Sequence, residues 1–313
     1  MHQTGAMVGV LTGFAIIGAI VLAGYVVGRS GVLGEHGRFV LGRIAFYVLA
    51  PALLFTVLAD SDVHVLFSSL LPVSLIAALS VGIVFALVAR LLWKRLVSET
   101  VVGTLAAGYT NANNIGIPVA VYVLGDPAFS APVILLQLLV FAPVALTILD
   151  IQDRGAVSFR RILAQPFTNP IIIASFIGVL FAVLGVHLPD PVMEPFRLVG
   201  AAMVPVVLIV FGMSLHGQRP LAPGSQRRDV LLASALKLAV MPLVAWSVGH
   251  FVFGLTGQAL FVVTVLAALP TGQNVFNYAQ RYERGEIIAR DVVLITTVLS
   301  VPALVIVALL LAP

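Results

Sequence analysis

The sequence predicts an all-α polytopic membrane protein with ten transmembrane helices. Of its 313 residues, 60% are hydrophobic and 10% are charged, and the mean hydropathy is +1.12. A soluble domain is about one quarter charged, so this composition is typical of a chain surrounded by lipid. Ten apolar windows of about 20 residues, the length that crosses a bilayer, account for nearly the whole sequence. The short connectors between them leave no room for a soluble domain.

Each apolar window is one expected helix. Residues 1–7 contain no Lys or Arg, so we expect the first window to be an uncleaved span and not a signal peptide. The chain has no cysteine, which excludes a disulfide framework. The windows are Val8–Gly28, Phe39–Leu58, Val65–Leu92, Val101–Leu124, Phe129–Leu149, Pro170–Val186, Leu198–Leu215, Val230–Phe253, Ala259–Ala279 and Val292–Leu311.

The basic residues fall in alternate connectors. Five groups of three hold 15 of the 17 Lys and Arg residues. Basic connectors stay in the cytoplasm, so we predict a multi-pass protein of the cell membrane with both termini on the extracytoplasmic side. Because the charge follows the membrane boundaries, it does not indicate a nucleic-acid partner. The groups are Arg29, Arg38, Arg43; Arg90, Lys94, Arg95; Arg154, Arg160, Arg161; Arg219, Arg227, Arg228; and Arg281, Arg284, Arg290.

The fourth window contains a polar sequence, YTNANNIGIP, at residues 109–118. Backbone amides and asparagine side chains are costly in hydrocarbon unless protein or a wet cavity satisfies them. We therefore predict that helix 4 breaks at Gly116 and Pro118 and exposes polar groups that bind solute, as broken helices do in transporters. The alternative is a kinked helix whose asparagines bond to neighbouring helices.

A second polar sequence, LPTGQNVFNYAQ, occupies residues 269–280 and predicts a break at Pro270 in helix 9. Pro118 follows Pro51 by 67 residues, and Pro270 follows Pro205 by 65. Ten helices make two sets of five, and because five is odd the second set would be inverted. Two broken helices in inverted halves predict a binding site near the membrane midplane.

The expected domains follow from this repeat. Residues 1–150 would form the first repeat, residues 151–168 a short cytoplasmic linker, and residues 169–313 the second repeat.

The segments APALLF (residues 50–55), YTNANNIGIP and LPTGQNVFNYAQRY together resemble the auxin efflux carrier family over essentially the whole chain. That family includes the plant auxin carriers and bacterial malate or malonate permeases. The resemblance implies helices 4 and 9 crossing at proline-containing breaks. It also implies a scaffold of helices 1, 2, 6 and 7, a mobile transport domain of helices 3–5 and 8–10, elevator-type alternating access and a homodimer. Many plant members have a long loop between the halves. Here that loop is short, so phosphorylation control of the plant kind is not implied.

The polar side chains of the two breaks form the predicted site. Asn111 and Asn114 are three residues apart and would share a helix face, and the resemblance places Asn111 and Pro118 on the asparagine and proline of the helix 4 motif. Asparagine offers donors and an acceptor, which suits a carboxylate without a fixed charge. The predicted substrate-binding residues are Asn111, Asn114, Gln273, Asn274 and Asn277; the crossover prolines are Pro118 and Pro270; auxiliary candidates are Tyr109, Thr110, Gln137 and Lys237.

A half-helix that starts after a break presents free amides and the positive end of its dipole, which favours an anion. Two crossing helices supply two such ends. We therefore predict a small organic anion as the substrate, an auxin-like or other carboxylate, and no metal or other cofactor.

Three polar residues have two interpretations each. Gln137 would either contact the ligand or form an interhelical hydrogen bond, and Asn277 would either bind substrate or mark where helix 9 leaves the membrane. Lys237 is eight residues from Asp229, roughly 12 Å at helical rise. Its ammonium would therefore either reach the headgroups or attract anions near the cytoplasmic mouth.

The distribution of carboxylates bears on energy coupling. All 13 Asp and Glu residues fall in connectors or at predicted helix ends, whereas proton-coupled carriers commonly embed an ionisable group. The sequence thus favours uncoupled export of an anion, since the membrane potential supplies about 2.3 kcal/mol per charge per 100 mV. The alternatives are a sodium- or proton-coupled malate or malonate permease, with sodium on Asn and Gln oxygens, and an anion channel.

The sequence does not favour an intramembrane enzyme. Ser214 and His216 are two residues apart and would face different sides of a helix. The predicted spans contain no pair of aspartates and no His–Glu cluster. An internal inverted repeat favours a carrier over a channel.

Overall fold

The computed structural model describes residues 2–34, 36–60, 69–154, 169–215, 221 and 226–313. Within these ranges all regular structure is helical apart from one isolated β-bridge, which confirms the all-α class. The helices are α1 (His2–Ser30), α2 (Gly37–Ala59), α3 (Leu70–Leu92), α4a (Val97–Gly108), α4b (Ala112–Leu124), α5 (Pro127–Gln152), α6 (Pro170–Leu184), α7 (Asp190–Ser214), α8 (Arg227–Val252), α9a (Gly257–Ala268), α9b (Asn274–Tyr282) and α10 (Glu286–Leu311).

Six of these helices, α2, α3, α5, α7, α8 and α10, are long and apolar enough to cross a membrane. The segment Ala15–Ser30 of α1, and α4b, α6 and α9a, are shorter apolar helices. A multi-pass membrane protein is therefore shown, while the count of ten crossings stays a prediction.

One packing group consists of α1, α2, α6 and α7. Here α1 packs along α7, and α2 packs against both α6 and α7. Glycines lie at the closest approaches: a Cβ built on Gly24 would be 2.3 Å from the carbonyl oxygen of Ile209, and one built on Gly212 would be 2.0 Å from that of Val21. Small residues at such positions let helix backbones touch, which is how helices associate in lipid.

The second packing group consists of α3, α4a, α5, α8, α9a, α9b and α10. Its core includes the fully buried Phe85 of α3, whose ring lies where a Cβ on Gly103 of α4a would be only 2.1 Å away. The half-helix α4b lies between the two groups, because it also contacts α1 and α7.

Polar contacts join several helix ends at one end of the molecule. Arg95, which follows α3, forms an ion pair with Asp229 of α8, with 2.6 Å between Nη2 and Oδ2. This bond raises the pKa of the Arg95 guanidinium above its usual value. The hydroxyl of Tyr282 in α9b donates to Asp150 Oδ1 of α5 at 2.9 Å. The ends of α3, α5 and α9b and the start of α8 therefore lie together, as alternating crossings require.

Labelling of single cysteines tests the predicted orientation against a background that has no cysteine. His187 lies exposed between α6 and α7, and Arg228 is exposed at the start of α8. We expect His187→Cys to react with an impermeant maleimide on intact cells, and Arg228→Cys to react only after the cells are opened. The reverse pattern would overturn the orientation.

Candidate functional site

The two broken helices meet at their breaks. Thr110 and Thr271 form an antiparallel bridge. The backbone N–H of Asn111 donates to the carbonyl of Pro270 at 2.8 Å, and that of Gly272 donates to the carbonyl of Tyr109 at 3.0 Å. Backbone groups that neither helix can satisfy are thus satisfied by the partner segment, which fixes the crossing in place.

The two breaks have different local causes. In helix 9, Leu269 leaves the helix with φ −59° and ψ 151°, because the residue before a proline is disfavoured in α conformation. In helix 4, Tyr109 is extended and Asn111 starts the next half as its N-cap, with Oδ1 accepting from Asn114 N at 3.1 Å. Asparagine is among the best N-cap residues, so it restarts the helix within the membrane.

Helix 4 does not break at Gly116 and Pro118, so that expectation is corrected. Pro118 is buried inside α4b, seven residues after Asn111, or roughly 10 Å along the axis. A wide π-type turn precedes it, in which Gly116 N donates to Asn111 O at 2.8 Å. Such turns let membrane helices accommodate proline without a break.

The prolines therefore do not correspond between the two halves. The paired positions are Thr110 and Thr271. Of the two expected crossover prolines, only Pro270 lies at a break.

The asparagines of helix 4 form a small network at the start of α4b. Asn111 is 7% exposed, and Asn113 Nδ2 donates to Asn114 Oδ1 at 3.2 Å. Asn113 Oδ1 and Thr110 Oγ1 are buried and have no hydrogen-bond partner among the described residues. Asn113 is not among the residues predicted from the sequence, because a continuous helix would place it on a different face from Asn111 and Asn114. The N-cap preference of asparagine is the signal that would have located the break.

Helix 9 adds an aromatic ring and further side-chain amides to the crossing. Asn274 Nδ2 donates to the hydroxyl of Tyr109 at 3.5 Å, and the rings of Tyr109 and Tyr278 meet edge to face with centroids 6.3 Å apart. Gln273, half-buried, is the N-cap of α9b, whereas Asn277 is exposed one turn further on. The structure therefore brings Asn274 to the crossing and leaves Asn277 at the surface of α9b.

Comparison with known proteins agrees with this architecture. A family model described as membrane transport protein matches residues 10–159 and 156–308, nearly the whole chain. The chain belongs to this family of membrane transporters. It is the family of the auxin efflux carriers, so the predicted resemblance is confirmed.

Three relatives of this transporter have similar lengths. An uncharacterized transporter of Methanothermobacter thermautotrophicus is 28% identical over 260 residues, covering 80% of this chain and 82% of the relative. A Rhizobium meliloti protein named "Putative malonate transporter" is 27% identical over 296 residues, covering 90% and 89%. An uncharacterized transporter of Methanocaldococcus jannaschii is 24% identical over 296 residues, covering 91% and 93%.

Lys237 of the transporter is fully buried, so the expectation that its side chain reaches the headgroups is corrected. Its Nζ donates to the carbonyl of Ala267 at 2.8 Å and contacts Met241 Sδ at 3.1 Å. The side chain thus does not reach the headgroups, and its role towards anions stays a prediction. It binds the last turn of α9a, where carbonyls lack helical partners and the dipole is negative.

A cavity of about 10 Å³ lies close to the crossing, and the two residues that Lys237 contacts are among those that line it. Thr110, Gln137, Met241 and Ala267 line it, and Gln137 is 4% exposed with no side-chain hydrogen bond to a described residue. The space suits a single water at most. Gln137 therefore joins Thr110 as a polar group close to the crossing, and both interpretations of its role stay predictions.

Proposed function

We propose that this transporter is a carrier that moves a small organic anion, an auxin-like or other carboxylate, by alternating access. The observation that carries the proposal is the crossing, where two half-helices begin next to unsatisfied polar atoms. The N-termini of α4b and α9b supply two positive dipole ends at the crossing. Thr110 Oγ1 and Asn113 Oδ1, buried without described partners, are groups that a bound solute or water would satisfy.

The proposed architecture is two inverted repeats, residues 1–150 and 169–313. Its support is the match between the halves: α4a and α9a both have 12 residues, and the paired Thr110 and Thr271 are 161 residues apart. The same offset relates α3 to α8 and α5 to α10 within a few residues.

The two packing groups support a scaffold of helices 1, 2, 6 and 7 and a transport domain of helices 3–5 and 8–10. The first turns of α4b contact α7 of the other group, so the proposed site would open between the two. Elevator-type movement in a homodimer is part of the same proposal.

A dicarboxylate permease is the second candidate, and Lys237 favours it. A dianion needs more neutralisation than neutral amides give, and Lys237, which donates to Ala267 O, places an amine that can carry a positive charge close to the crossing. The relative named for malonate adds weight to this candidate.

Transport by purified protein in liposomes tests these candidates. Currents on a solid-supported membrane should appear with malonate, malate or an auxin-like acid and saturate at low substrate concentration. Failure of every organic acid to produce a current or a thermal shift would overturn the proposal, and a current that does not saturate would indicate a channel.

We expect transport to require neither a sodium nor a proton gradient. An enclosed cavity lies near Gln137, and the amine of Lys237 contacts two of its lining residues. Repulsion by the protonated amine disfavours sodium there. Uptake driven by a potassium diffusion potential alone should therefore reach the rate seen with sodium present. Uptake that disappears without sodium would contradict this expectation.

A further inference from the structure

A second, larger cavity lies at the end of the molecule where α3, α5 and α9b finish. Its volume is about 340 Å³, and residues from α3, α4a, α5 and α9b, or directly next to them, line it. The 12 residues of α4a separate it from the crossing, a distance of roughly 18 Å at helical rise. It is therefore distinct from the proposed substrate site.

Two guanidinium groups, those of Arg90 and Arg284, line this cavity. Arg90 Nη1 bonds the carbonyl of Arg95, and no ion pair among the described residues involves either arginine. Arg95, by contrast, is held by Asp229. The cavity thus has two positive charges that no described carboxylate neutralises.

Two carboxylates near the cavity, those of Asp150 and Glu99, are already engaged in hydrogen bonds. Asp150 accepts the hydroxyl of Tyr282, a lining residue, and Glu99 Oε1 accepts from Gln226 Nε2 at 3.0 Å. Their hydrogen bonds leave the two arginines as the groups available to a ligand.

The first turn of α4a faces the same space. Val97 and Ser98 line the cavity, and no side chain caps this helix end, so its first N–H groups need an acceptor. Ser98 is 7% exposed and its side chain lines the cavity. A serine hydroxyl, the first amides of α4a and two guanidinium groups together fit an oxyanion.

The apolar side chains around the cavity indicate which kind of molecule carries the oxyanion. Leu91, Leu92 and Leu96, next to the cavity, are 69%, 72% and 57% exposed, and in a membrane protein acyl chains cover such side chains. Arg90 is adjacent to Leu91 in the chain. The cavity therefore lies at the level where acyl chains end and headgroups begin, and basic pockets between helices at this level bind anionic headgroups. We propose that it binds the phosphate of an anionic lipid headgroup.

Lipid titration of the full-length protein in detergent tests this site. Short-chain phosphatidylglycerol should raise the melting temperature and bind in native mass spectra, and phosphatidylcholine should bind more weakly. Arg284→Gln and Arg90→Gln should each weaken phosphatidylglycerol binding by about 10-fold, since each removes a charge-assisted hydrogen bond. Ser98→Ala, which keeps the net charge, should weaken it a few-fold.

The matched control is Arg228→Gln, an exposed arginine at the same end that does not line the cavity. It should bind the lipid like the unaltered protein. Equal losses in Arg228→Gln and Arg284→Gln would show attraction by surface charge and overturn the site. So would unchanged binding in all three cavity variants. Inorganic phosphate that binds with the same variant dependence while phosphatidylglycerol does not would replace the lipid by a free anion and overturn the proposal.

Discussion

Asn111→Ala is expected to weaken substrate binding by about 1–3 kcal/mol, which is roughly 5- to 150-fold in affinity. The side chain is 7% exposed and caps α4b through its bond with Asn114 N. Its removal leaves that N–H without a partner, loosens the positive helix end, and takes a donor and acceptor from a place where water is scarce. Substrate titration of the purified variant, by thermal shift or by supported-membrane currents, measures the loss.

Asn169 offers a matched control for the capping effect alone. Asn169 is the N-cap of α6, and its Oδ1 accepts from Ile171 N at 2.9 Å. Helix α6 belongs to the first packing group and does not take part in the crossing. Both alanine variants should lose about 0.5–2 kcal/mol of stability from the lost cap. Only Asn111→Ala should lose substrate affinity. If a folded Asn111→Ala protein kept its substrate affinity and transport, Asn111 would have only a structural role. The substrate site would then consist of residues of α9b.

Composition and the apolar windows of about 20 residues predicted the all-helical membrane class, because bilayer thickness constrains helix length and polarity. The two polar sequences also located the helices that break. The position of the break in helix 4 was not predictable from proline alone. Pro118 is the strongest sequence signal for a helix break in this segment, but a π-type turn accommodates this proline within the helix. The helix restarts at Asn111, whose N-cap preference is a weaker sequence signal.

The partner of Lys237 could not be inferred from the sequence either. Its hydrogen-bond acceptor, Ala267 O, is 30 residues further along the chain and becomes a free acceptor only because α9a ends there. From the sequence alone, a lysine within a span is equally consistent with a side chain that reaches the headgroups and with one that faces a cavity. Sequence spacing gives the depth of the residue in the membrane but does not identify its neighbouring residues. The same applies to Gln137 and Thr110, which line one cavity together with residues of five helices.

Gly272→Ala is expected to reduce transport by more than 10-fold, because the crossing has no space for a methyl group. A Cβ at this position would lie 2.9 Å from Tyr109 Cδ1 and 3.2 Å from the carbonyl oxygen of Thr110. The tyrosine ring cannot move aside freely, since it packs on Tyr278 and its hydroxyl accepts from Asn274. Overpacking of this kind lowers stability by about 1–3 kcal/mol. Here it would weaken the backbone hydrogen bonds that join the two breaks.

The control variant for added volume is Gly42→Ala, where a Cβ would meet nothing within 4 Å. It should keep the transport rate and melting temperature of the unaltered protein. A double-mutant cycle separates the collision from other effects: in a Tyr109→Ala background, adding Gly272→Ala should change stability by less than about 0.5 kcal/mol. If Gly272→Ala alone transports normally, the ring of Tyr109 does not lie against this glycine in the working protein. If the cost persists without the ring, the collision is with the Thr110 backbone, and the pairing of the two breaks is the rigid element of the crossing.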